Sequence, residues 1–188
     1  MTHGGWDDLA VGDVNGDGWN DIIVMSGQSY AYPNIGILTQ KADGTYNAAV
    51  YYSLGGNRLT NGVAVGDVNN DSLNDVVVSS GGIAVFQQNI SGTLNTAIDY
   101  SGTGIRPQIA DMNHDGKNDV VVVTPGWHNI GIYLQDANGS FLPVEHYTST
   151  YGPNAYFQPL AIGDINGDGL NDVVTLDAYL GVIIFYHN

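Results

Sequence analysis

The sequence has no cysteine, which excludes disulfide bonds, thiol catalysis and cysteine-bound metals. Basic residues are also scarce, since only Lys41, Arg58, Arg106 and Lys117 stand against 19 acidic residues. Nucleic-acid binding needs clustered Lys and Arg side chains that contact phosphates, so no nucleic-acid partner is expected. No apolar run approaches the roughly 20 residues of a membrane-spanning helix, and no membrane span is expected either.

Segments that favour an α-helix are missing as well. The 26 glycines, together with asparagines, interrupt every window long enough to form one, and the apolar runs that remain are short and β-branched. With 188 residues and 43% hydrophobic content, the chain can bury one sizeable core. The sequence therefore predicts a single all-β domain.

One acidic motif of nine residues occurs four times, beginning at Asp13, Asp67, Asp111 and Asp164. Every copy has Asp at positions 1, 5 and 9, Asn at position 3, and Gly or Ser at position 6. Calcium binds about six to eight oxygen atoms, which a short flexible loop can supply. Each copy is therefore predicted to be a calcium-binding loop.

These loops differ from the EF-hand, the best-known calcium loop, which needs a carboxylate at position 12 and a helix on each side. Position 12 is occupied by Val24, Val78, Val122 and Thr175, none of which has a carboxylate. The segments before and after each copy are short and β-branched, as in residues 119–123. Each loop is therefore predicted to join two strands.

The loops also hold most of the charge of the chain. Of the 19 acidic residues, 12 are the Asp residues at positions 1, 5 and 9 of the four copies, and the formal net charge is −15. Three carboxylates in one short loop repel each other and oppose folding. Four divalent cations, contributing +8, would reduce the net charge to −7. Metal binding is therefore expected to be a requirement for folding.

Larger units repeat around the loops. The first Asp residues of successive loops are 54, 44 and 53 residues apart, which indicates an internal duplication of a two-loop unit. Units of this length, with four short antiparallel strands between turn residues, are typical of β-propeller blades. We predict an all-β propeller with four-stranded antiparallel blades at about 5–54, 55–101, 102–150 and 151–188. The last blade ends after its third strand and lacks its outer strand.

The motif Asp-x-Asp/Asn-x-Asp-Gly-x-x-Asp resembles the FG-GAP or VCBS repeats of integrin α-subunit propellers and of many exported bacterial proteins. In that family the loop joins the first two strands of a blade and holds calcium, which implies up to four Ca²⁺ ions here, one per repeat. The implied side-chain ligands are Asp13, Asn15, Asp17 and Asp21; Asp67, Asn69, Asp71 and Asp75; Asp111, Asn113, Asp115 and Asp119; and Asp164, Asn166, Asp168 and Asp172. The implied carbonyl ligands at position 7 belong to Trp19, Leu73, Lys117 and Leu170.

Two loops depart from this pattern. Ser72 replaces the turn glycine of the second loop. A residue other than Gly at positive φ costs about 1 kcal/mol, so we expect the second site to bind calcium most weakly. Lys117 places a cation in the third loop. We expect its ammonium group to extend into water while its backbone carbonyl binds the metal.

No catalytic residue is predicted. The five histidines have no metal-ligand spacing, and neither a Gly-x-Ser-x-Gly nucleophile motif nor a phosphate-binding glycine loop occurs. We expect a non-catalytic recognition or adhesion module that binds a protein or carbohydrate ligand. Two alternatives stay open: a lectin with sugar sites between the blades, and a non-catalytic part of a larger secreted enzyme such as a polysaccharide lyase.

The aromatic residues fall into two groups. Tyr52, Tyr100 and Tyr147 recur at one position of successive blades and are expected to pack between them. The second group lies in connections rich in Gly, Pro, Ser and Asn, and it is the candidate ligand surface. Its members are Tyr30, Tyr32, Trp127, His128, Tyr151 and Tyr156.

Location and assembly follow from calcium and from the incomplete blade. Calcium sites of the extracellular type, with dissociation constants near about 10⁻⁴–10⁻³ M, would be empty in the cytosol, so an extracellular or periplasmic location is expected. No signal peptide is visible. The open edge of the last blade fits three arrangements: a compact four-bladed ring, a fragment of a larger propeller, or half of an eight-bladed ring completed by a homodimer.

Overall fold

In the computed structural model, residues 8–25, 34–56, 58–124, 129–148, 159–177 and 181–187 are described. These ranges contain 17 β-strands and no helix, and therefore no helix that could cross a membrane. The predicted all-β class is confirmed.

Fifteen of the strands form four antiparallel sheets that follow one another along the chain, one for each blade, and the other two strands form a separate hairpin. The first blade consists of β1 (Asp8–Gly12), β2 (Asp21–Met25), β3 (Ile35–Leu38) and β4 (Val50–Tyr52). The second consists of β5 (Val63–Gly66), β6 (Asp75–Ser79), β7 (Ile83–Phe86) and β10 (Ile98–Tyr100). Between β7 and β10 the chain forms a separate hairpin of β8 (Gln88–Asn89) and β9 (Thr93–Leu94). The third consists of β11 (Ile105–Ala110), β12 (Asp119–Thr124), β13 (Asn129–Tyr133) and β14 (Glu145–Thr148). The fourth has three strands, β15 (Leu160–Gly163), β16 (Asp172–Asp177) and β17 (Gly181–Phe185), and the described residues supply no outer strand to it, as predicted.

Each acidic loop joins the first two strands of its blade. The last residue of the first strand always pairs with the Asp at position 9 of the loop. The pairs are Gly12 with Asp21, Gly66 with Asp75, Ala110 with Asp119, and Gly163 with Asp172. The four loops therefore leave their sheets at the same level and have the same length.

The hydrophobic core lies between the blades, which stack face to face. Each of the three interblade cores takes residues from both of the blades that it joins. Examples are Met25 and Val78 between the first two blades, Val77 and Val120 between the second and third, and Val121 and Val173 between the third and fourth. Every residue of β6 and β12 is buried because both faces of these sheets are covered, whereas burial alternates along β2. The first blade therefore has one face packed against the second blade and one face open.

The first strands of successive blades lie beside each other, β1 next to β5, β5 next to β11, and β11 next to β15. This order is that of the innermost strands of a propeller. Among the strands that the structure describes, no comparable contact joins β15 back to β1. The four blades therefore form an open arc of a propeller.

Aromatic packing between blades follows the prediction at two of three positions. The ring of Tyr52 meets that of Phe86 edge to face at a centroid distance of 6.0 Å, and Tyr100 meets Phe141 at 5.2 Å. Tyr147, at the equivalent position of the third blade, is 46% exposed. In the second and third blades the turn after the third strand places Leu94 and Phe141 in the interblade core. The fourth blade has no corresponding turn among its described residues, so Tyr147 stays open to solvent.

The third blade differs from the prediction at its first strand. The segment that reads as a strand before the third loop is residues 108–110 of the sequence, whereas β11 begins at Ile105 and its pairing with β12 shifts between Ile105 and Gln108. Pro107 has no N–H for the ladder, and Arg106 has a φ of 53°. The strand is therefore longer than predicted and contains an irregularity at Arg106 and Pro107.

The backbone of the four loops follows one path, with positive φ at positions 4 and 6. The values are 76° and 88° at Gly16 and Gly18, 64° and 69° at Asn70 and Ser72, 61° and 83° at His114 and Gly116, and 81° and 87° at Gly167 and Gly169. Gly adopts this conformation without steric cost, and Asn and His tolerate it better than most residues. The predicted turn at position 6 is present, and position 4, for which the sequence analysis predicts no turn, is under the same constraint.

Replacing Ser72 with Gly should therefore relieve backbone strain without loss of packing, because an added Cβ would meet nothing within 4 Å at the equivalent Gly18, Gly116 and Gly169. We expect Ser72→Gly to raise the free energy of unfolding by up to about 1 kcal/mol in urea denaturation. The matched reverse variant, Gly18→Ser, should lower it by a similar amount. A destabilised Ser72→Gly variant would contradict the strain.

Candidate metal centres

The carboxylate at position 1 organises the turn of each loop. Asp13 accepts hydrogen bonds from the backbone N–H groups of Gly16 (2.6 Å) and Gly18 (2.8 Å), one on each carboxylate oxygen. Asp164 accepts equivalent bonds from Gly167 (2.6 Å) and Gly169 (2.9 Å). In the first, second and fourth loops the two positive-φ residues thus turn their N–H groups towards the first carboxylate, and in the third loop Gly116 does so. This arrangement explains why both positions are restricted to residues that tolerate this conformation.

Positions 3 and 5 lie in contact above this turn. In the first loop the Asn15 side-chain oxygen accepts from the N–H of Asp17 (2.9 Å), and Asp17 accepts from the N–H of Trp19 (2.9 Å). The Asn15 side-chain amide also donates to the Asp17 carboxylate at 2.8 Å. The second and fourth loops repeat this set of bonds. The side chains at positions 3 and 5 of these three loops are therefore in direct contact.

The carboxylate at position 9 is fully buried in all four loops, with no exposed surface at Asp21, Asp75, Asp119 or Asp172. One oxygen accepts from the N–H at position 2 of its own loop, and the other accepts from the N–H two residues after the third strand. In the second blade these donors are Val68 (3.2 Å) and Gln88 (2.9 Å). The donors are Val14 and Gln40 in the first blade, Met112 and Gln135 in the third, and Ile165 and His187 in the fourth.

Burial raises the pKa of the Asp75 carboxyl to about 6 and also raises the pKa values of Asp21 and Asp119. The backbone N–H donors lower the pKa of each group, while the carboxylates at positions 1 and 5 raise it further by repulsion. The three acidic side chains of a loop are therefore close enough to oppose one another's charge. The buried Asp also ties its loop to the third strand, a structural role that a ligand prediction does not include.

The Asn at position 8 links each loop after the first to the loop of the preceding blade, and sequence reasoning gave it no role. The side-chain amide of Asn74 donates to the Asp13 carbonyl at 3.1 Å, and that of Asn118 donates to the Asp67 carbonyl at 2.8 Å. Asn171 repeats the bond to the Asp111 carbonyl at 2.9 Å. The sequence did carry a signal for this structural role, because Asn occurs at position 8 of every copy although no metal-ligand role is predicted there.

The donor set fits a hard cation such as calcium. Each loop offers three carboxylates, one amide oxygen and a backbone carbonyl, all of them oxygen donors. Within the described residues, no three carboxylate or imidazole groups already converge as a metal cage, because the carboxylate oxygens face backbone N–H groups. A carboxylate has about four lone-pair sites, so an oxygen that accepts one hydrogen bond can still bind a metal. The fit therefore rests on donor chemistry and uncompensated charge.

The third loop corrects the expectation for Lys117. Its ammonium group does not extend into water but lies 2.9 Å from the Asp115 carboxylate. This contact lowers the pKa of Asp115 and raises that of Lys117. Lys117 therefore partly neutralises the loop that it belongs to.

The predicted aromatic ligand surface lies outside the described residues. This applies to all of its members, Tyr30, Tyr32, Trp127, His128, Tyr151 and Tyr156. The described residues contain a cavity of about 160 Å³ between the third and fourth blades, lined by Ile132, Tyr147, Phe185 and others. Small-molecule sites usually measure about 300–1,000 Å³. The cavity is better explained as the space that Leu94 and Phe141 fill in the other interblade cores.

Comparison with known proteins agrees with this architecture. No curated protein matches the sequence. Among solved structures, a lectin from Agrocybe aegerita, reported for its specific recognition of non-reducing terminal N-acetylglucosamine, is similar with a TM-score of 0.61 and 17% identity over 93% of this chain and 48% of the lectin. The Tc holotoxin pore of Photorhabdus luminescens is similar with a TM-score of 0.55 and 13% identity over 94% of this chain and 9% of the toxin chain.

The chain thus spans about half of the lectin chain, and at these identities the likeness shows the fold alone. The FG-GAP-like repeat family matches residues 13–78 and 111–175, and each match contains two of the acidic loops. These two segments cover more than half of the sequence, and the chain belongs to the FG-GAP-like repeat family.

Proposed function

We propose that this protein is a calcium-stabilised, non-catalytic β-propeller module that recognises a protein or carbohydrate ligand outside the cytosol. The observation that carries the proposal is the fourfold recurrence of one loop geometry with an all-oxygen donor set. Three of these loops have no cationic side chain in hydrogen-bond contact among the described residues. Three carboxylates that repel each other without a counter-ion are a cost to folding that a bound divalent cation would remove.

The residues that would hold the metal are the side chains at positions 1, 3, 5 and 9 and the carbonyl at position 7. Calcium, when bound, supplies the positive charge that these groups lack. The chain's own residues supply the rest: the buried Asp at position 9 holds each loop to the third strand, and the Asn at position 8 holds it to the preceding loop. A loop ordered by metal would therefore stabilise both its own blade and the contact with the next blade.

Removal of calcium should destabilise the protein strongly. A site at about one hundred times its dissociation constant adds about 2.7 kcal/mol, and about 1 kcal/mol shifts the melting temperature of a domain of this size by about 2–4 °C. We expect a chelator to lower the melting temperature by about 5–11 °C for each saturated site. Readdition of calcium should restore the original value. An unchanged melting curve, with no calcium found in the purified protein, would contradict the proposal.

The Lys117 contact makes the third loop a test of charge at the site. We expect Lys117→Leu to tighten calcium binding there by a few fold, because the ammonium group no longer competes for Asp115. Leu is already present at this position as Leu73 and Leu170. The amide resonance of Gly116 would report the third site in a calcium titration followed by NMR. Lys41→Leu, which removes an exposed cation outside the loops, should leave the titration unchanged.

A carbohydrate ligand is the second candidate, favoured by the likeness in fold to a lectin and by the aromatic residues in polar connections. Aromatic rings that lie beside amide and hydroxyl groups are well suited to stack on sugar rings. Binding on a glycan array should then be lost in a Trp127→Ala variant that melts like the parent. If the array shows no binding and a protein is retained in calcium but not with chelator, the ligand is a protein.

The proposed location is extracellular or periplasmic. FG-GAP-like repeats are typical of extracellular proteins, and calcium is abundant there.

A further inference from the structure

We propose that two copies of this chain assemble head to tail, with the fourth blade of each copy packed on the first blade of the other, to close an eight-bladed ring. The three interblade interfaces within the chain share the same contacts. At each end of the arc, the residues of one side of these contacts are present without their partners. The first blade carries one half and the fourth blade carries the other.

The apolar faces are the first such contact. Leu9 and Val11, on the open face of the first blade, are 63% and 57% exposed. Their equivalents on β5, Val63 and Val65, pack against the first blade. An apolar face that every following blade covers is thus left in water at the start of the arc.

The opposite end carries the complementary face. Leu176 and Val182 of the fourth blade are 44% and 62% exposed. Their equivalents in the first blade, Met25 and Ile35, are 1% and 0% exposed because the second blade covers them. Burial of such faces contributes about 25 cal/mol for each Å² of apolar surface. Each end therefore presents the face that the other end lacks.

The Asn bond between loops is the second contact. Every loop after the first donates from position 8 to the position-1 carbonyl of the loop before it. Asn20, the position-8 residue of the first loop, is exposed, and its side chain makes no hydrogen bond among the described residues. No side chain of these residues donates to the Asp164 carbonyl in the last loop. In the proposed interface the Asn20 amide of one copy donates to the Asp164 carbonyl of the other.

Close glycine contacts are the third. A Cβ added to Gly12 would lie 2.5 Å from Cγ1 of Val65 on the next blade, and one added to Gly66 would lie 3.2 Å from Cδ1 of Ile109. At Gly163, the equivalent glycine of the fourth blade, nothing lies within 4 Å. The residue that would fill this space is Val11 of the second copy, because it holds the position of Val65 and Ile109.

The turns after the third strands repeat the pattern. A Cβ on Gly92 would lie 2.5 Å from the carbonyl oxygen of Asn15, and Gly139 rests in the same way on the Asn69 carbonyl of the preceding loop. Gly44, the equivalent in the first blade, has nothing within 4 Å. Its partner in the ring would be the carbonyl of Asn166 in the other copy. Four independent features thus identify the same pair of surfaces.

A second copy is the proposed occupant because the two end faces of one chain are complementary to each other, as a heterologous interface requires. A chain with complementary ends forms a ring when its rotation closes, and an open filament otherwise. One chain contributes four blades and remains an open arc in the described structure. Known propellers have about four to eight blades, so two copies give the closed ring within this range. Two equivalent interfaces then leave no blade face in water.

The mass in solution tests the assembly. We expect the full chain in calcium buffer to have a mass of about 40 kDa by light scattering, twice the 19.9 kDa of one chain. Val11→Asp should halve the mass because it places a charge in the interface. The matched control Ile90→Asp adds the same charge at a side chain that is 98% exposed on an outer turn, and it should leave the mass unchanged. A 19.9 kDa parent protein would overturn the proposal.

A crosslink tests the interface itself, and the absence of native cysteine makes it clean. The Cβ positions of Gly12 and Val65 lie 3.3 Å apart, near the about 3.5–4.5 Å of a disulfide. The equivalent pair across the ring is Gly163 and Val11, so the double variant Val11→Cys with Gly163→Cys should oxidise to a covalent dimer.

The internal pair Gly12→Cys with Val65→Cys is the control and should form its disulfide within one chain. For the Val11→Cys and Gly163→Cys variant, a crosslinked monomer would mean that the chain closes on itself. A ladder of larger species would mean an open filament, and free thiols would mean no contact. Each of these three results overturns the eight-bladed ring.

Discussion

The buried carboxylate that ends each acidic loop is the interaction on which the rest of this structure depends. It is the first residue of the second strand, pairs with the last residue of the first strand, and accepts a backbone N–H from beyond the third. One side chain therefore fixes the relative position of three strands. A charged group without such donors would be very costly in this position, so the loop and the sheet require each other.

The loops join this local order to the order of the whole arc. Their acidic groups repel one another, while the Asn at position 8 of each loop after the first reaches the preceding loop. The same nine residues thus contain both the carboxylates that repel one another and the Asn that hydrogen-bonds to the preceding loop. A cation bound at the loop would act on both, because it would relieve the repulsion and hold the Asn donor in position.

Much of the fold could be predicted because its signals are local. The β-branched runs after each loop become β2, β6, β12 and β16, and the missing fourth strand of the last blade could be predicted by comparing one repeat with the next. The role of Asn118 could not be predicted, because its partner Asp67 is 51 residues away and no spacing rule connects them. The constraint at position 4 was hidden because Gly, Asn and His look unrelated until the sign of φ is known.

Lys117 is a residue whose side-chain orientation could not be predicted. Its type and place in the loop were evident, but whether its flexible side chain turns to water or to Asp115 depends on charges that only the folded loop brings together. Geometry was therefore predictable where the backbone determines it. It was not predictable where a long side chain chooses between solvent and a neighbour.

The number of covered sheet faces also makes the resistance to local opening vary along the arc. β6 and β12 are enclosed by neighbours on both faces, whereas the end blades have a neighbour on one face and the last one is a strand short. In a linear array of repeats, local opening is easiest where a unit has the fewest neighbours. Amide protons in a single copy would thus exchange fastest with solvent in the fourth blade and slowest in the middle of the chain, so that the protein frays from its rims inward.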